Sequence, residues 1–372
     1  MKRPAAGPVL EVLVSTRPGG GPRHVLDLCL GLRARGWQPL VAAPRDGAFF
    51  DRFVEAGIEI VQTPTDRIAS GAAIRLARLV RARGVRLLHS HGKGAGLHAR
   101  LAARALAVPA VHTFHGIHVE RYGRLKRAAY VGLERGLSRW TAGAIHVSHA
   151  QAAEARELAL VPAARSHVVV NGIDIARVQG EALEAADARY RLGLEPGPPV
   201  VGAVARLDQV KRLDLLVQAA ARVARPDLVV VLVGAGPEEP RLRELVRALG
   251  VQDRVRLAGE VPDAATLLRA FNVYAAPSRK EGMPLAVVEA MALGLPVVAS
   301  DIPAHREVLG PGSAGIVAGC AELVRMLNQL LADASTRAAL GADNRTRAER
   351  LFDARTMVDG IDAIYRGVLG LQ

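Results

Sequence analysis

Short apolar runs alternate with longer stretches of helical periodicity along nearly the whole chain. In the first half these runs predict strands near Val9–Val14, Pro39–Ala43, Ile58–Val61, Val85–His89, Ala110–Phe114 and Ala144–Val147. The pattern then begins again and predicts strands near Val200–Ala205, Leu228–Val233, Val255–Ala258, Val273–Ala276, Pro296–Ala299 and Gly315–Val317. Because strands that alternate with helices form parallel sheets with crossover helices, we predict an α/β protein with two doubly wound domains.

An Asn-Gly turn at Asn171, followed by a stretch without periodicity, marks the boundary between the two domains. We therefore predict a first domain over residues 1–170 and a second domain over residues 171–352. Residues 353–372 are predicted to form a closing helix that docks on another part of the protein, because its apolar residues share one face. They are Met357, Ile361, Ile364, Tyr365 and Val368.

The net charge of +13 is confined to the first half of the chain. Residues 1–180 contain 26 Lys and Arg against 12 Asp and Glu, whereas residues 181–372 contain 23 against 24. A basic helix is predicted from Glu120 to Trp140, and its expected apolar face comprises Leu125, Ala129, Val131, Leu133 and Leu137. Such a helix suits an anionic membrane surface or an acidic substrate, or is simply solvated in an Arg-rich chain. Nucleic acid is disfavoured, because neither stacking aromatics nor a recognition motif accompanies the charge.

The two cysteines and the distribution of apolar residues indicate where in the cell the protein is expected to lie. Cys29 and Cys320 fit no metal or redox spacing and are expected to be reduced. No apolar run reaches the roughly 18 residues of a membrane span, and the N-terminus lacks the apolar core of a signal peptide. We therefore expect a cytoplasmic protein, with peripheral attachment to the inner face of the cell membrane as an open alternative.

Ligands of doubly wound sheets bind beyond the carboxyl ends of the strands, so the loops there are the candidate sites. In the first half, Gly20 and Gly21 precede a helix and allow the backbone to approach a phosphate or sugar closely. Four histidines follow two later strands and could contact sugar or phosphate, hold zinc, or simply pack: His89, His91, His112 and His115. Because no acidic ligand lies nearby in sequence, we expect no metal there.

In the second half, Arg206 and Lys211 follow a predicted strand, and Lys211 is expected to begin the next helix. Two cations at this point suit a diphosphate. Glu281 precedes a helix expected to start near Pro284, and Glu289 lies within it. A helix start attracts an anion, so these carboxylates are better explained as acceptors for ribose and hexose hydroxyls. A glycosidase pair needs roughly 5 to 9.5 Å between carboxyl groups, whereas eight helical residues rise about 12 Å.

Four segments together resemble the retaining glycosyltransferases of family four, which have the GT-B fold. They are EGMPLAVVEAMALGLPVVASD, ARLDQVKR, VVVNGID and GGGPRHVLDLCLGLRARG. The resemblance implies a nucleotide-sugar donor on the second domain, an acceptor largely on the first, reaction in a cleft between them and a final helix that crosses back. It also implies metal-independent transfer with retention by front-face attack, in which the departing phosphate is the base.

The same resemblance assigns roles to the motif residues. Arg206 and Lys211 would neutralise the donor diphosphate, and Glu289 would accept hydrogen bonds from the ribose. Glu281 would hold hexose hydroxyls, helped by the backbone at Gly282, Met283, Pro284 and Leu285.

Three further expectations follow from it. The base would lie near Arg256. Gly20 and Gly21 would approach the diphosphate, and His115 would face the transferred sugar. Two positions depart from the family pattern, because Ala205 and Arg212 stand where glycine is usual.

The segment from His89 to Glu120 is similar to the subset that builds surface polysaccharides or lipid-linked oligosaccharides, many of which use UDP-linked hexoses or N-acetylhexosamines. A polyprenyl-diphosphate-linked glycan would then be the acceptor, with His91 and Lys93 meeting its phosphates. Two rivals stay open: a GT-B-type nucleotide-sugar epimerase, which needs cleft carboxylates that are scarce here, and a non-catalytic nucleotide-sugar binding protein.

Overall fold

The computed structural model describes residues 6–67, 69, 71–117, 119 and 122–371. Contacts divide the chain into two compact units, a first unit of Met1–Gly172 with Ala354–Gln372 and a second unit of Ile173–Asp353. The boundaries lie two residues and one residue beyond the predicted ones at 170 and 352. The first unit is discontinuous in sequence, because its last helix follows the whole of the second unit.

The first unit contains a parallel sheet in the order β3-β2-β1-β4-β5-β6-β7. Its strands are β1 (Gly7–Leu13), β2 (Trp37–Ala43), β3 (Glu59–Gln62), β4 (Leu87–His91), β5 (Ala110–Phe114), β6 (Gly143–His146) and β7 (Ser166–Val168). Its helices are α1 (Gly20–Arg33), α2 (Phe49–Glu55), α3 (Ala72–Arg83), α4 (Lys93–Leu106), α5 (Arg124–Ser138), α6 (His149–Glu157) and, at the chain end, α15 (Ala354–Leu369). The strand order reverses between β1 and β4.

The second unit contains a parallel sheet in the order β10-β9-β8-β11-β12-β13. Its strands are β8 (Val200–Val204), β9 (Val229–Val233), β10 (Val255–Gly259), β11 (Val273–Ala276), β12 (Val297–Ser300) and β13 (Ile316–Val317). Its helices are α7 (Ile175–Glu181), α8 (Ala185–Arg191), α9 (Asp214–Ala220), α10 (Glu239–Ala248), α11 (Leu285–Ala292), α12 (Pro303–Leu309), α13 (Gly319–Ala332) and α14 (Ala334–Leu351). Here the order reverses between β8 and β11.

The predicted α/β architecture of two doubly wound parallel sheets is confirmed. The central strands of both sheets are short apolar runs that bury nearly every side chain, as strands covered by helices on both faces must. The edge strands β3, β7 and β10 are more exposed. One shift matters for the chemistry: β4 was predicted to end at His89 but continues to His91, and both imidazoles are buried.

Helix α15 docks within the first unit through the apolar face that the sequence indicated. Met357, Ile361 and Tyr365 are at most 1% exposed and pack in one cluster with Val9 and Leu28. A polar contact fixes the register, since the Trp37 indole N–H donates to Asp362 Oδ1 at 2.6 Å. Burying these apolar surfaces supplies the free energy that holds the closing helix in place.

Helix α5 carries an apolar face different from the predicted one. Its predicted start at Glu120 lies outside the described residues, and the helix begins at Arg124. Leu137 is buried as expected, but Leu125 is 89% exposed and Leu133 is 46% exposed.

The cause is a buried ion pair. Arg100 in α4 is 0% exposed, and its guanidinium donates to Glu134 Oε2 at 2.8 Å. Because a buried guanidinium without a carboxylate partner is costly, α5 turns Glu134 inward and leaves Leu133 outside. Within the described part of the chain, no helix has both the length and the apolar character needed to cross a bilayer.

The contact between α1 and α15 generates a stability prediction. A Cβ at Gly31 would lie 2.7 Å from Val358 Cγ2, and the branched Val358 has little rotamer freedom to move away. We expect Gly31→Ala to lower the free energy of unfolding by about 1 to 3 kcal/mol, measured by urea denaturation.

Gly132→Ala in α5 is the matched control, because a Cβ at Gly132 meets nothing within 4 Å. Only the higher helix propensity of alanine then matters, so Gly132→Ala should raise the free energy of unfolding by up to about 1 kcal/mol. Equal stabilisation by the two substitutions would contradict tight packing of α15 on α1.

Candidate active site

In the second unit, the loops after β8 and β11 carry the predicted donor-binding residues. The two strands are neighbours, with Val273 paired to Val201. They flank the point where the strand order reverses, which is where open α/β sheets bind ligands. Residues far apart in sequence therefore meet at one end of the sheet.

The β8 loop is built around Asp208. Its Oδ1 accepts the Val210 N–H at 3.2 Å and opens a 3-10 turn over Gln209–Lys211. Its Oδ2 lies 2.5 Å from the guanidinium of Arg206, whose side chain is 67% exposed. Asp208 thus fixes the loop and holds Arg206 while leaving most of that cation accessible.

Lys211 ends this turn rather than beginning a helix, so that prediction was wrong. Helix α9 starts only at Asp214, because Arg212 has a φ of 50° in the left-handed region. The family usually has glycine at this position, and glycine adopts that conformation without strain. The departure at Arg212 therefore concerns the backbone, and Lys211 still contacts Glu281.

Lys211 and Glu281 form an ion pair across the two loops. The Lys211 ammonium donates to Glu281 Oε1 at 2.7 Å, and the Ser278 hydroxyl donates to the same oxygen at 2.6 Å. Burial would raise the pKa of Glu281, but the Lys211 charge and these hydrogen bonds outweigh it, so the pKa is lowered. Glu281 is therefore an ionised acceptor and a poor proton donor.

Two residues that sequence reasoning missed support this pair. Ser300 donates its hydroxyl to the Ser278 carbonyl, and His305 Nδ1 lies 2.9 Å from the Ser300 carbonyl. His305 is 0% exposed, and burial lowers its pKa, an effect that the nearby Glu281 carboxylate only partly offsets. No local sequence signal marks either residue, because both act from the end of β12 and the start of α12.

The chain is buried where α11 begins, with Met283 and Leu285 at most 8% exposed. Its backbone offers fewer donors than predicted, since Pro284 has no N–H and the Leu285 N–H bonds to the Met283 carbonyl. The donor role predicted for Pro284 and Leu285 therefore does not apply.

Glu289 is half-buried at the fifth position of α11. Burial raises the pKa of Tyr274, and the charges of Glu289 and Glu281 raise it further. Both carboxylates therefore lie near one buried phenol, whose hydroxyl donates to the Val204 carbonyl at the end of β8.

The prediction that the base lies near Arg256 was wrong. Arg256 is the second residue of β10, and its guanidinium donates to the Gly193 carbonyl at the amino ends of the strands. The carboxyl end of β10 is at Gly259, whose carbonyl accepts the Gly234 N–H at 2.7 Å. Arg256 thus lies at the opposite end of the sheet from Lys211 and Glu281.

In the first unit, the predicted residues follow β1, β4 and β5. Gly20 is exposed and begins α1, and Gly21 is half-buried behind it. Lys93 begins α4 directly after β4, and its ammonium lies 3.0 Å from the Tyr122 hydroxyl and 4.2 Å from the centre of the Tyr130 ring. Lys93 is therefore held by two phenol rings, whose faces attract a cation.

His91 does not fit its predicted contact with an acceptor phosphate. It is 3% exposed, with Nε2 2.8 Å from Glu11 Oε2 and Nδ1 3.0 Å from His115 Nε2. Both ring nitrogens are thus engaged inside the first unit. Glu11 was missed because it stands in an apolar strand and meets His91 only through the pairing of β1 with β4.

Two groups in this region have ligand atoms within 4.8 Å of one another and could hold a metal ion: His24, His91 and His115, and Glu11, His89 and His91. The structure thus supplies the acidic group that seemed absent from the sequence. His24 is 1% exposed, and neither of its nitrogens has a hydrogen-bond partner among the described residues. Within the second group, the nitrogens of His89 and His91 are already hydrogen-bonded to protein.

Residues 185–347 match the family described as Glycosyl transferases group 1, and residues 18–177 match Glycosyltransferase Family 4. A D-inositol 3-phosphate glycosyltransferase of Salinispora tropica is 30% identical over 342 residues, covering 84% of this chain and 70% of that protein. The lipopolysaccharide core biosynthesis mannosyltransferase LpsB of Rhizobium meliloti is 32% identical over 214 residues, covering 54% of this chain and only 61% of its own length.

Solved structures agree on the fold. HepE of Anabaena, in complex with UDP and glucose, is 23% identical with a TM-score of 0.85, covering 96% of this chain and 98% of that chain. WaaG, a glycosyltransferase involved in lipopolysaccharide biosynthesis, is 17% identical with a TM-score of 0.76, covering 96% of this chain and 100% of that chain. Together, the two doubly wound units, the motif residues gathered at the carboxyl ends of their strands and the family matches lead to one conclusion: the chain belongs to glycosyltransferase family four.

Proposed function

We propose that the protein is a retaining glycosyltransferase that moves a hexose or N-acetylhexosamine from a nucleoside diphosphate sugar to a hydroxyl of a glycan. A polyprenyl-diphosphate-linked glycan in cell-surface polysaccharide synthesis is the proposed acceptor. The observation that carries the proposal is the Lys211–Glu281 ion pair beside the accessible Arg206. The pair places a cation that can bind a diphosphate next to a carboxylate that can accept hydrogen bonds from sugar hydroxyls.

Positive charge at the leaving group is the main catalytic element of the proposal. An ammonium has three N–H donors, so Lys211 keeps two for phosphate oxygens after donating to Glu281. Arg206 adds a planar guanidinium suited to paired phosphate oxygens. Cations directed at the charge that develops on a departing group stabilise the transition state, and these two do so without a metal ion.

Glu281 is assigned to sugar recognition rather than to proton transfer. It is ionised and accepts two hydrogen bonds through Oε1, so Oε2 is the acceptor that we assign to hexose hydroxyls. Glu289 is assigned to the ribose hydroxyls. With no carboxylate assigned as nucleophile, front-face transfer with the departing phosphate as base is the route we favour, and it retains the anomeric configuration.

The exposed face of α5 favours a membrane-associated acceptor. Leu125 and Leu133, two turns apart, are 89% and 46% exposed, and the exposed Arg124, Lys126 and Arg127 flank Leu125 in the sequence. A helix with protruding leucines among cations suits an anionic lipid surface. We therefore propose peripheral attachment to the cytoplasmic face of the membrane through α5.

The first prediction from the proposed function tests the leaving-group cation. Lys211→Ala should lower kcat/KM for sugar transfer at least about a hundredfold, since one stabilising group at the developing charge is lost. Arg225→Ala is the control, because it removes a cation from an exposed surface ion pair of the same unit and should leave activity unchanged.

Full transferase activity of the Lys211→Ala variant would contradict the proposed stabilisation of the leaving group by Lys211. Release of a free epimer without acceptor would instead support the epimerase, and nucleotide binding without any turnover of donor would support a binding protein.

The second prediction concerns the nucleotide. HepE was solved with UDP, so we expect UDP to raise the melting temperature more than GDP or ADP. A nucleotide present at 100 times its dissociation constant should raise the free energy of unfolding by about 2.7 kcal/mol. A shift with GDP alone would assign a GDP-sugar donor and refute the UDP preference.

The third prediction concerns the membrane. The wild type should float with vesicles rich in phosphatidylglycerol, and the double change Leu125→Asp with Leu133→Asp should lower binding more than about tenfold, because each buried leucine contributes about 1.5 kcal/mol or more. Leu351→Asp changes an exposed leucine of the second unit and serves as the control. Equal flotation of all three proteins would exclude α5 as the attachment surface.

A further inference from the structure

A buried chain of hydrogen bonds runs from the closing helix to His115 within the first unit. The Tyr365 hydroxyl of α15 donates to Glu11 Oε1 at 2.8 Å. Glu11 Oε2 lies 2.8 Å from His91 Nε2, and His91 Nδ1 lies 3.0 Å from His115 Nε2. Four side chains from four parts of the chain are thus joined in series, and only His115 is more than slightly exposed.

The carboxylate at one end sets the direction of every bond in the series. Burial would raise the pKa of Glu11, but His89 Nδ1 and His91 Nε2, which lie 3.2 and 2.8 Å from Oε2, outweigh burial and lower the pKa. Glu11 is therefore ionised near neutrality and can only accept hydrogen bonds. Consequently His91 Nε2 carries a proton and donates it to Glu11.

The position of the proton on His91 determines which ring donates in the bond between His91 and His115. His91 is buried, with Nε2 against Glu11 and Nδ1 against His115, and burial favours the neutral ring, which holds a single proton. With that proton on Nε2, Nδ1 is an acceptor. The bond to His115 then requires the proton on His115 Nε2, which leaves the lone pair of His115 on Nδ1.

A side branch holds the carboxylate in place. His89 Nδ1 lies 2.5 Å from the Tyr365 hydroxyl, and His89 Nε2 lies 2.7 Å from the Thr113 hydroxyl. Since the Tyr365 proton goes to Glu11, the phenol oxygen accepts from His89. Glu11 is thus held on Oε1 by α15 and on Oε2 by β4, so it cannot rotate away from His91.

We infer that Glu11 and His91 are positioning residues that hold His115 as a neutral imidazole with the proton on Nε2 and the lone pair on Nδ1. His115 then accepts a hydrogen bond from a sugar hydroxyl and does not pair with an anion. The inference about the sugar rests on the proposed function, whereas the proton positions rest on the hydrogen bonds alone. A metal ion on His24, His91 and His115 is the competing explanation, and it would have to displace the proton between His91 and His115.

The direct test is ¹⁵N–¹H NMR of histidine-labelled protein at pH 7, with no substrate added. We expect His115 and His91 each to be protonated at Nε2 only. Protonation of His115 at Nδ1 or at both nitrogens would overturn the inference. So would stoichiometric zinc that co-purifies with the protein and moves the His24, His91 and His115 signals together.

Glu11→Gln tests the cause. The isosteric amide can donate to His91 Nε2, which allows the reversed arrangement with the proton on His115 Nδ1. We expect that reversal in the spectrum and a kcat/KM for sugar transfer lowered about 10- to 100-fold, the range expected when a buried group loses one correctly directed hydrogen bond. Tyr365→Phe is the matched control, because it removes one donor to Glu11 without reversing the His91–His115 bond, so the His115 proton should stay on Nε2.

The enzymatic effect should also depend on His115. In a His115→Ala background, Glu11→Gln should cause less than about a twofold further loss, because coupled residues are not additive. If Glu11→Gln lowered kcat/KM by the same factor with and without His115, Glu11 would be merely structural. If the NMR result holds while no nucleotide sugar is turned over, the proton assignment stands and the proposed function fails. Turnover with His115 protonated at Nδ1 refutes the positioning role alone.

Discussion

Every strand pairing in the two sheets is parallel, and this constraint determines where polar side chains from distant parts of the sequence can meet. Parallel strands need crossover connections, so their carboxyl ends all emerge at the same end of the sheet. In the second unit this brings Lys211 and Glu281 together from 70 residues apart. In the first unit it aligns β1, β4 and β5, so that Glu11, His91 and His115 meet above an apolar interior.

Much of the fold could be predicted, because strands buried on both faces are apolar runs of recognisable length. The second unit's ion pair could also be anticipated, since Lys211 and Glu281 belong to motifs whose spacing identifies the family. Arg256 was a mistake of a different kind. The predicted strand already began at Val255, so the sequence itself indicated that Arg256 lies at the amino end of β10.

The buried network of the first unit could not be found from the sequence. Glu11 bonds to residues 80 and 354 positions away, and no local pattern records such contacts. The inward face of α5 was missed for a related reason, since it is decided by the charge of Arg100 on another helix. Hydrophobic periodicity predicts apolar burial well, but buried charges are paired by tertiary geometry.

The discontinuity of the first unit has a consequence for how the protein is made. Residues 173–353 form a contiguous unit and can fold as they leave the ribosome, whereas Tyr365 emerges after almost all of the chain. Until then, the pocket that α15 fills lacks its apolar side chains, and Glu11 lacks a hydroxyl donor. The first half of the chain is thus synthesised first but completed last, and its buried carboxylate reaches its native bonding only when the final helix closes over it.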